Sequence, residues 1–326
     1  MGRYILHRLA LIVPIILGVT LVVFLILAFI PGDPAQLMLG EAASKEAVEA
    51  LRAELGLDQP LLIRYGIFLK QLLQGNLGTS YIQRAPVLKL IVDRLPATLE
   101  LTFFAMLVGS VIGVLAGIIS ATKQHSLWDY AAMFVSILGV SMPVFWLGIM
   151  LILFFSVNLG WLPVSGRGPG VIAALPAAFG GDFGPLIQGL RHILLPSITL
   201  GTGLAALIAR MTRSSMLEII RQDYMKTAKA KGLPGRLIIW KHALRNALIP
   251  VVTALGLQFG QLLGGAVLTE SIFAWPGLGR LAVDAINARD FPVIQGVVLV
   301  ITLGVVLVNL LVDLIYTVID PRIRYS

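Results

Sequence analysis

Four histidines (His7, His125, His192 and His242) and no cysteine are all that this 326-residue sequence offers a transition metal. The histidines are scattered, without HExxH or comparable ligand spacing. The lack of cysteine also excludes disulfides and thiolate nucleophiles. Ser214-Ser215 has no glycine elbow nearby, and no histidine pairs with it. No GxxxxGK[ST] loop is present to cradle the phosphates of ATP. Coupling to protons or sodium would place carboxylates midway along apolar segments. The one acid well inside such a segment is Asp313, near its end, with Asn309 one turn back. Asp313 reads as a partnered interfacial acid, and Glu100 and Glu270 at segment ends read likewise. The outstanding cluster is basic: residues 223–246, DYMKTAKAKGLPGRLIIWKHALRN, hold six Lys/Arg and a single acid, Asp223, in a chain only 13% charged.

The elements that must position this segment are hydrophobic. Mean hydropathy is +0.90, and 57% of residues are hydrophobic. Runs free of Asp, Glu, Lys and Arg cover 101–122, 130–166, 192–209, 246–269 and 291–312, and 9–40 is broken only by Asp33. About 20 apolar residues cross a hydrocarbon core about 30 Å thick. The chain is therefore expected to be all-α and polytopic, with six transmembrane helices near 9–30, 100–121, 131–156, 192–211, 247–269 and 292–317. The first exceeds the apolar length of a cleaved signal peptide, although Arg3 and Arg8 precede it. Gly2 lacks the Ser/Thr of a myristoylation motif.

Segment 210–246 carries nine Lys/Arg against Glu218 and Asp223, whereas 31–96 carries seven of each sign. The positive-inside rule then puts both termini and the basic segment on the cytoplasmic side. Three regions follow: an N-terminal transmembrane helix (1–30), an outer excursion (31–96), and a five-helix core (97–326) that includes a cytoplasmic hairpin over 212–246. Within the excursion, Glu41 to Leu55 predicts a soluble helix ended by Gly56. Residues 61–73 predict an amphipathic helix for the bundle or the membrane surface, with packing on the bundle favoured. Gly75 to Gly78 is a turn, and 86–95 a short lead into a span starting near Pro96. Residues 157–191, rich in Gly and Pro, are expected to be irregular.

Small residues recur at every fourth position in two spans. Gly109, Gly113 and Gly117 suit close packing in the second. Gly256, Gly260 and Gly264 in the fifth, beside Gln258 and Gln261, suit either packing or a pore-side seam that slides or meets another subunit. In the basic segment, 215–231 favours a helix, Gly232-Leu233-Pro234-Gly235 stops it, and a second helix starts at Arg236. Tyr224, Thr227, Ala228 and Lys231 share a face, and Leu237, Trp240 and Leu244 form an apolar stripe. Topology and anionic lipid account for charge alone, whereas the small residues at the elbow suggest close approach by another protein.

The sequence resembles the permease subunits of ATP-binding-cassette importers, in particular the first permease of the dipeptide, oligopeptide and nickel group. The resemblance runs along the chain: IPGDP (30–34), ELGLDQP (54–60), GNLGTSY (75–81), PATLEL (96–101), ARMTRSSMLE (209–218), DYMKTAKAKGL (223–233), HALRNALIPVVT (242–253), WPGLGRL (275–281), VNLLVDLIY (308–316) and DPRIR (320–324). It implies a type I importer permease fold with an outer lateral-helix region. It also implies that the hairpin is the family's coupling loop, with Lys226-Thr227-Ala228 at the Glu-Ala-Ala positions and Gly232 after them. His242 to Arg245 replace the general I-x-L-P pattern. The implied coupling residues are Asp223, Tyr224, Lys226, Thr227, Ala228, Ala230, Lys231, Gly232, Arg236, His242, Arg245 and Asn246.

Trp275, Pro276, Gly277 and Arg280 are expected on the outer side, facing a binding protein or solute, or else forming a rigid turn. The resemblance further implies a transporter subunit and not an enzyme, importing peptides, or else nickel or other metal chelates, glutathione or oligosaccharides. The implied partners are a second permease, two cytoplasmic ATPases carrying ATP and Mg, and a periplasmic or lipid-anchored solute-binding protein. The chain itself is expected to hold no cofactor or metal and to bind no nucleic acid, and to lie in a bacterial or archaeal inner membrane.

Overall fold

The computed structural model describes residues 2–29, 33–40 and 43–319. The helices are α1 (Gly2–Phe29), α2 (Pro34–Leu39), α3 (Lys45–Glu54), α4 (Leu61–Leu73), α5 (Val87–Thr122), α6 (Leu127–Ser141) and α7 (Val144–Leu151), the last continued by a π-helical stretch, Ile152–Asn158. They are followed by α8 (Val171–Phe179), α9 (Gly184–Ile220), α10 (Asp223–Ala230), α11 (Gly235–Leu237), a second π-helical stretch (Ile238–Ala243), α12 (Leu244–Ile272), α13 (Leu278–Asn287) and α14 (Phe291–Ile319). The described residues form two compact units: those up to Thr98 with Pro276–Leu307, and Leu99–Trp275 with Val308–Ile319.

In the first unit, Val87 and Ile91 at the start of α5 pack among Leu27, Leu278, Leu281, Val293 and Val297. The buried Asp290 accepts from the Ser80 hydroxyl and from the Tyr81 amide at 3.1 Å, which fixes the turn ahead of α5. Asp33 caps α2 through the Ala35 amide at 3.0 Å and pairs with Arg52 of α3 at 2.7 Å. Residues 86–95 are not a separate lead. From Val87 on they belong to α5, and Pro96 lies inside it, tolerated because neighbouring groups compensate for a missing amide within a packed bundle.

In the second unit, α9 is central, with 67% of its most apolar window buried. The glycine stripe of α5 lies against it. A Cβ on Gly113 would sit 2.6 Å from the Ala205 carbonyl, and one on Gly117 2.5 Å from Thr212 Cβ. This is the close packing expected of the second span. Residues 157–191 are more ordered than expected: α8 forms over 171–179, and α9 begins at Gly184. The reason is Glu100, fully buried, whose carboxylate accepts from the Val171 amide and from the Ile172 amide at 3.0 Å. A carboxylate at the start of a helix satisfies amides that have no partner within it. Arg167 completes the arrangement at 2.5 Å.

The expected third span, 131–156, is two helices. α6 and the segment Val144–Asn158 meet at 108°. Pro143 follows Met142, which is extended (φ −78°, ψ 130°), as the residue before a proline prefers. Contacts at its two ends show that the bent pair still crosses. Asp129, before the bend, meets Ser120 of α5 and Arg213 of α9. Arg167, after it, meets Glu100. Residues 100 and 120 of one continuous helix are about 30 Å apart at 1.5 Å per residue, the thickness of a hydrocarbon core. The chain therefore changes sides between 129 and 167. Together with five other long apolar helices, the broken span makes six.

Candidate functional site

The hairpin stands on α9 and α12. The expected helix over 215–231 is interrupted: α9 ends at Ile220, Gln222 is extended (φ −66°, ψ 150°), and α10 starts at Asp223. No glycine or proline marks the break, which therefore arises from packing. It turns Met225 inward, fully buried, against Ile118, Met216, Ile238, Ala243 and Ala247.

The elbow is a Schellman motif. The Gly232 amide donates to the Lys229 carbonyl at 3.0 Å, and the Leu233 amide to the Ala228 carbonyl at 3.4 Å. Gly232 has φ +74°, a region costing a residue with Cβ roughly 1–2 kcal/mol. Nothing lies within 4 Å of where its Cβ would be. Glycine is needed there for backbone conformation, not for room within this chain. Ala228, by contrast, is half-buried and packs with Leu233 against the hairpin's own core, so its small side chain serves that core first.

The second arm departs from the expected stripe. Leu237 and Trp240 are exposed, and the buried positions are Ile238, Ala243, Leu244 and Ala247. The π-helical stretch over Ile238–Ala243 is the cause, since its i→i+5 bonding rotates following residues away from a 3.6-residue periodicity. Asn246 donates to Tyr224 Oη at 3.0 Å and to the His242 carbonyl at 3.1 Å, tying the arms together. Lys226 and Asp223 pair at 2.8 Å but are largely in solvent, so this pair adds little stability.

Asp223, Tyr224, Lys226, Thr227, Ala230, Lys231, Gly232, Arg236, Arg245 and Asn246 are all exposed, with His242 half-buried. Together with Leu237 and Trp240 they form a basic surface with an apolar patch on an ordered scaffold.

The root of the hairpin is fixed by residues that sequence spacing did not single out. Arg213 donates through Nε to Ser120 Oγ at 2.8 Å and to Asp129 Oδ1 at 3.1 Å, and through Nη2 to Asp129 Oδ2 at 3.1 Å. Asp129 is 3% exposed and also accepts from the His125 amide at 3.1 Å. Such forked, charge-assisted contacts are strong and directional. They join α5, α6 and α9 one helical stretch above α10. Asp129 carried no sequence signal beyond lying two residues before an expected span.

The remaining candidates separate. Gly256 is tight against Val312, 2.6 Å from a Cβ placed on it; Gly260 is buried; Gly264 is open, with nothing within 4 Å. Gln258 is half-buried and Gln261 exposed. The stripe of the fifth span thus changes from packing at one end to an open face at the other. Trp275 and Gly277 are both enclosed by their own chain. Trp275 is held by its amide on the Glu270 carbonyl at 2.8 Å, and Gly277 precedes α13, whose Leu278 amide donates to Thr98 at 2.7 Å. Arg280 is partly exposed and lies 3.8 Å from Asp284; Pro276 is half-buried. The side chain of Asp313 lies outside the described residues. Among the described residues, no group of three or more His, Asp or Glu is placed to hold a metal ion.

Comparisons with known proteins agree with this geometry. Residues 113–325 match the family described as binding-protein-dependent transport system inner membrane component, and residues 1–102 match its N-terminal counterpart. A dipeptide transport system permease protein of Alkalihalophilus pseudofirmus is 50% identical over 333 residues, covering both chains completely. The dipeptide permease of Escherichia coli is 46% identical, also with full coverage of both. A glutathione transport system permease of Escherichia coli is 42% identical over 326 residues, again end to end. Among solved structures, an inward-facing MetNI methionine ABC transporter chain aligns with a TM-score of 0.55 at 22% identity, over 72% of this chain and 97% of that one; this likeness shows the fold. The chain belongs to the family of binding-protein-dependent transport system inner membrane components, with the type I permease fold of ABC importers.

Proposed function

We propose that this chain is one membrane subunit of an ATP-driven importer that brings dipeptides or short oligopeptides into the cytoplasm. The observation that carries the reading is the hairpin 223–246. It is ordered, basic and exposed, and it is continuous with two long apolar helices of a chain that matches the import family from end to end. A surface of this kind suits a groove on a separate ATPase, which would supply ATP and Mg. Closure of the ATPases would move the hairpin, and α9 and α12 would carry the motion into the bilayer as a population shift between two arrangements of the spans. The other partners are a second, homologous permease, a second ATPase, and a solute-binding protein that is periplasmic or lipid-anchored. Both termini and the hairpin lie on the cytoplasmic side, where the basic residues place them.

Peptide as substrate is supported by the full-length relatives named for dipeptides. The relative named for glutathione, itself a tripeptide, lies within the same chemical class. The test is uptake into liposomes. The assembled complex with its binding protein is expected to accumulate labelled dipeptide at the expense of ATP. The purified chain alone is expected neither to take up peptide nor to hydrolyse ATP. Hydrolysis by the isolated chain would overturn the subunit assignment. Competition by glutathione or a nickel chelate, but not by dipeptides, would reassign the substrate.

A further inference from the structure

The helix α4 follows the first span and lies in a stretch that sequence alone places outside the membrane. Its contacts place it lower. Tyr65 Oη donates to the Leu17 carbonyl at 3.1 Å and lies 3.1 Å from the Thr20 hydroxyl. The apolar span of α1 is Ala10–Phe29, so Thr20 is at its middle. Phe24, three-quarters of the way along that span, has its ring centroid 5.4 Å from that of Tyr65 and 6.5 Å from that of Phe68. Arg64 lies 5.9 Å over the same Phe24 ring. A tyrosine side chain spans little more than one helical turn of about 5.4 Å, and a residue rises about 1.5 Å along a helix. The backbone of α4 around Tyr65 and Phe68 therefore lies within the half of the bilayer that Phe24 and Phe29 traverse.

The outer face of α4 agrees with that depth. Leu62 and Leu73 are 84% and 89% exposed, and Ile63 and Ile67 are exposed as well. The residues turned toward α1 are Tyr65, Phe68 and Arg64, so the polar atoms of Tyr65 and Arg64 lie on the protein side. The one charge on the outward face, Lys70, is in the last turn of the helix, where its long stem can carry the ammonium to the headgroups. The exposed apolar face of α4 is also continuous in character with the exposed face of α1, which includes Leu21, Val22, Leu25 and Ile26.

We infer that α4 is sunk into the leaflet on the side of the membrane opposite the N-terminus, with lipid hydrocarbon covering its Leu62–Ile67 face. The inference rests on the reading that residues 10–29 cross the bilayer. The excursion between the first two spans would then contain, after α2 and α3, a helix anchored in lipid beside the first span.

The chain has no cysteine, so each variant carries a single labelling site in this chain, and the complex with the unsubstituted chain, taken through the same labelling, gives the background from its partners. Labels at Leu62→Cys and Ile67→Cys of the assembled complex in phosphatidylethanolamine/phosphatidylglycerol vesicles are compared with Val22→Cys on α1 and with Glu49→Cys on the exposed face of α3. The two α4 labels and Val22→Cys are expected to collide with oxygen severalfold more than with a water-soluble nickel chelate, and Glu49→Cys to show the reverse. Nickel access at Leu62→Cys and Ile67→Cys, with Val22→Cys in lipid, would overturn the inference and leave the span intact. An immobilised label reached by neither reagent at those two sites would show that a protein partner covers the face, and would overturn it also. Nickel access at Val22→Cys would refute the spanning reading itself.

Discussion

Replacing Gly232 with valine separates backbone conformation from contact at the tip of the hairpin. Gly232 has φ +74°, and a Cβ built there meets nothing within 4 Å. The cost within this chain is therefore conformational, at roughly 1–2 kcal/mol for leaving a residue with Cβ in the left-handed region, and more for a β-branched side chain. One or two kcal/mol changes a population ratio by roughly 5–30-fold. The elbow that joins α10 to α11 would then spend most of its time in another shape, while the spans, which do not involve Gly232, remain inserted. In proteoliposomes containing the whole complex, Gly232→Val is expected to reduce peptide uptake by roughly that factor at unchanged membrane abundance. Gly232→Asn, which enters the left-handed region more readily, should retain most of the activity. Wild-type uptake and ATPase stimulation by the valine variant would refute the coupling role of the elbow. Equal damage from asparagine and valine would show that the tip is limited by steric contact with a partner and not by backbone strain.

Four further changes test the surrounding structure. Ala228→Glu puts a carboxylate against Met225 and Ile238 and should destabilise the hairpin by roughly 1–3 kcal/mol, seen as faster tryptic cleavage at Arg236; unchanged cleavage would contradict the packing described. Asp129→Asn weakens the forked contact with Arg213 and should lower stability by roughly 1.5–3 kcal/mol, read as a fall in the Tm of the detergent-solubilised complex. Gly113→Ala forces a methyl to within 2.6 Å of the Ala205 carbonyl and should cost roughly 1–3 kcal/mol by overpacking. Gly264→Ala, with open space around it, should be neutral in the isolated chain; a loss of stability seen only in the complex would locate a partner at that face.

Much of the architecture was legible because membrane spans are written in composition. Six charge-free runs gave six crossings, and no residue between Leu101 and Thr122 needed a partner to be recognised as apolar. The elbow was equally readable, since Gly232 and Pro234 act locally on the backbone. The face of the second arm was not. Leu237, Trp240 and Leu244 fit a regular helix, but the π-helical stretch at Ile238–Ala243 rotated the buried positions onto Ile238, Ala243 and Leu244. A change of helical pitch depends on what packs around it and leaves no mark in residue spacing. For Trp275 the sequence left an outer contact and a rigid turn both open, and its enclosure is a property of neighbours that local spacing does not reveal.

Sequence alone determined that the chain is helical and membrane-spanning, that its positive charge gathers on one segment, and that this segment folds back at Gly232. Those properties depend on each residue's own transfer free energy and backbone freedom. The tertiary structure alone decided that the third crossing is broken at Pro143 yet still changes sides, because that follows from Asp129 meeting Arg213 at one end of α5 and Arg167 meeting Glu100 at the other. It alone decided that α4 lies beside the middle of the first span, through Tyr65 and Thr20. Both are contacts between residues tens of positions apart, and only the folded chain brings such residues together.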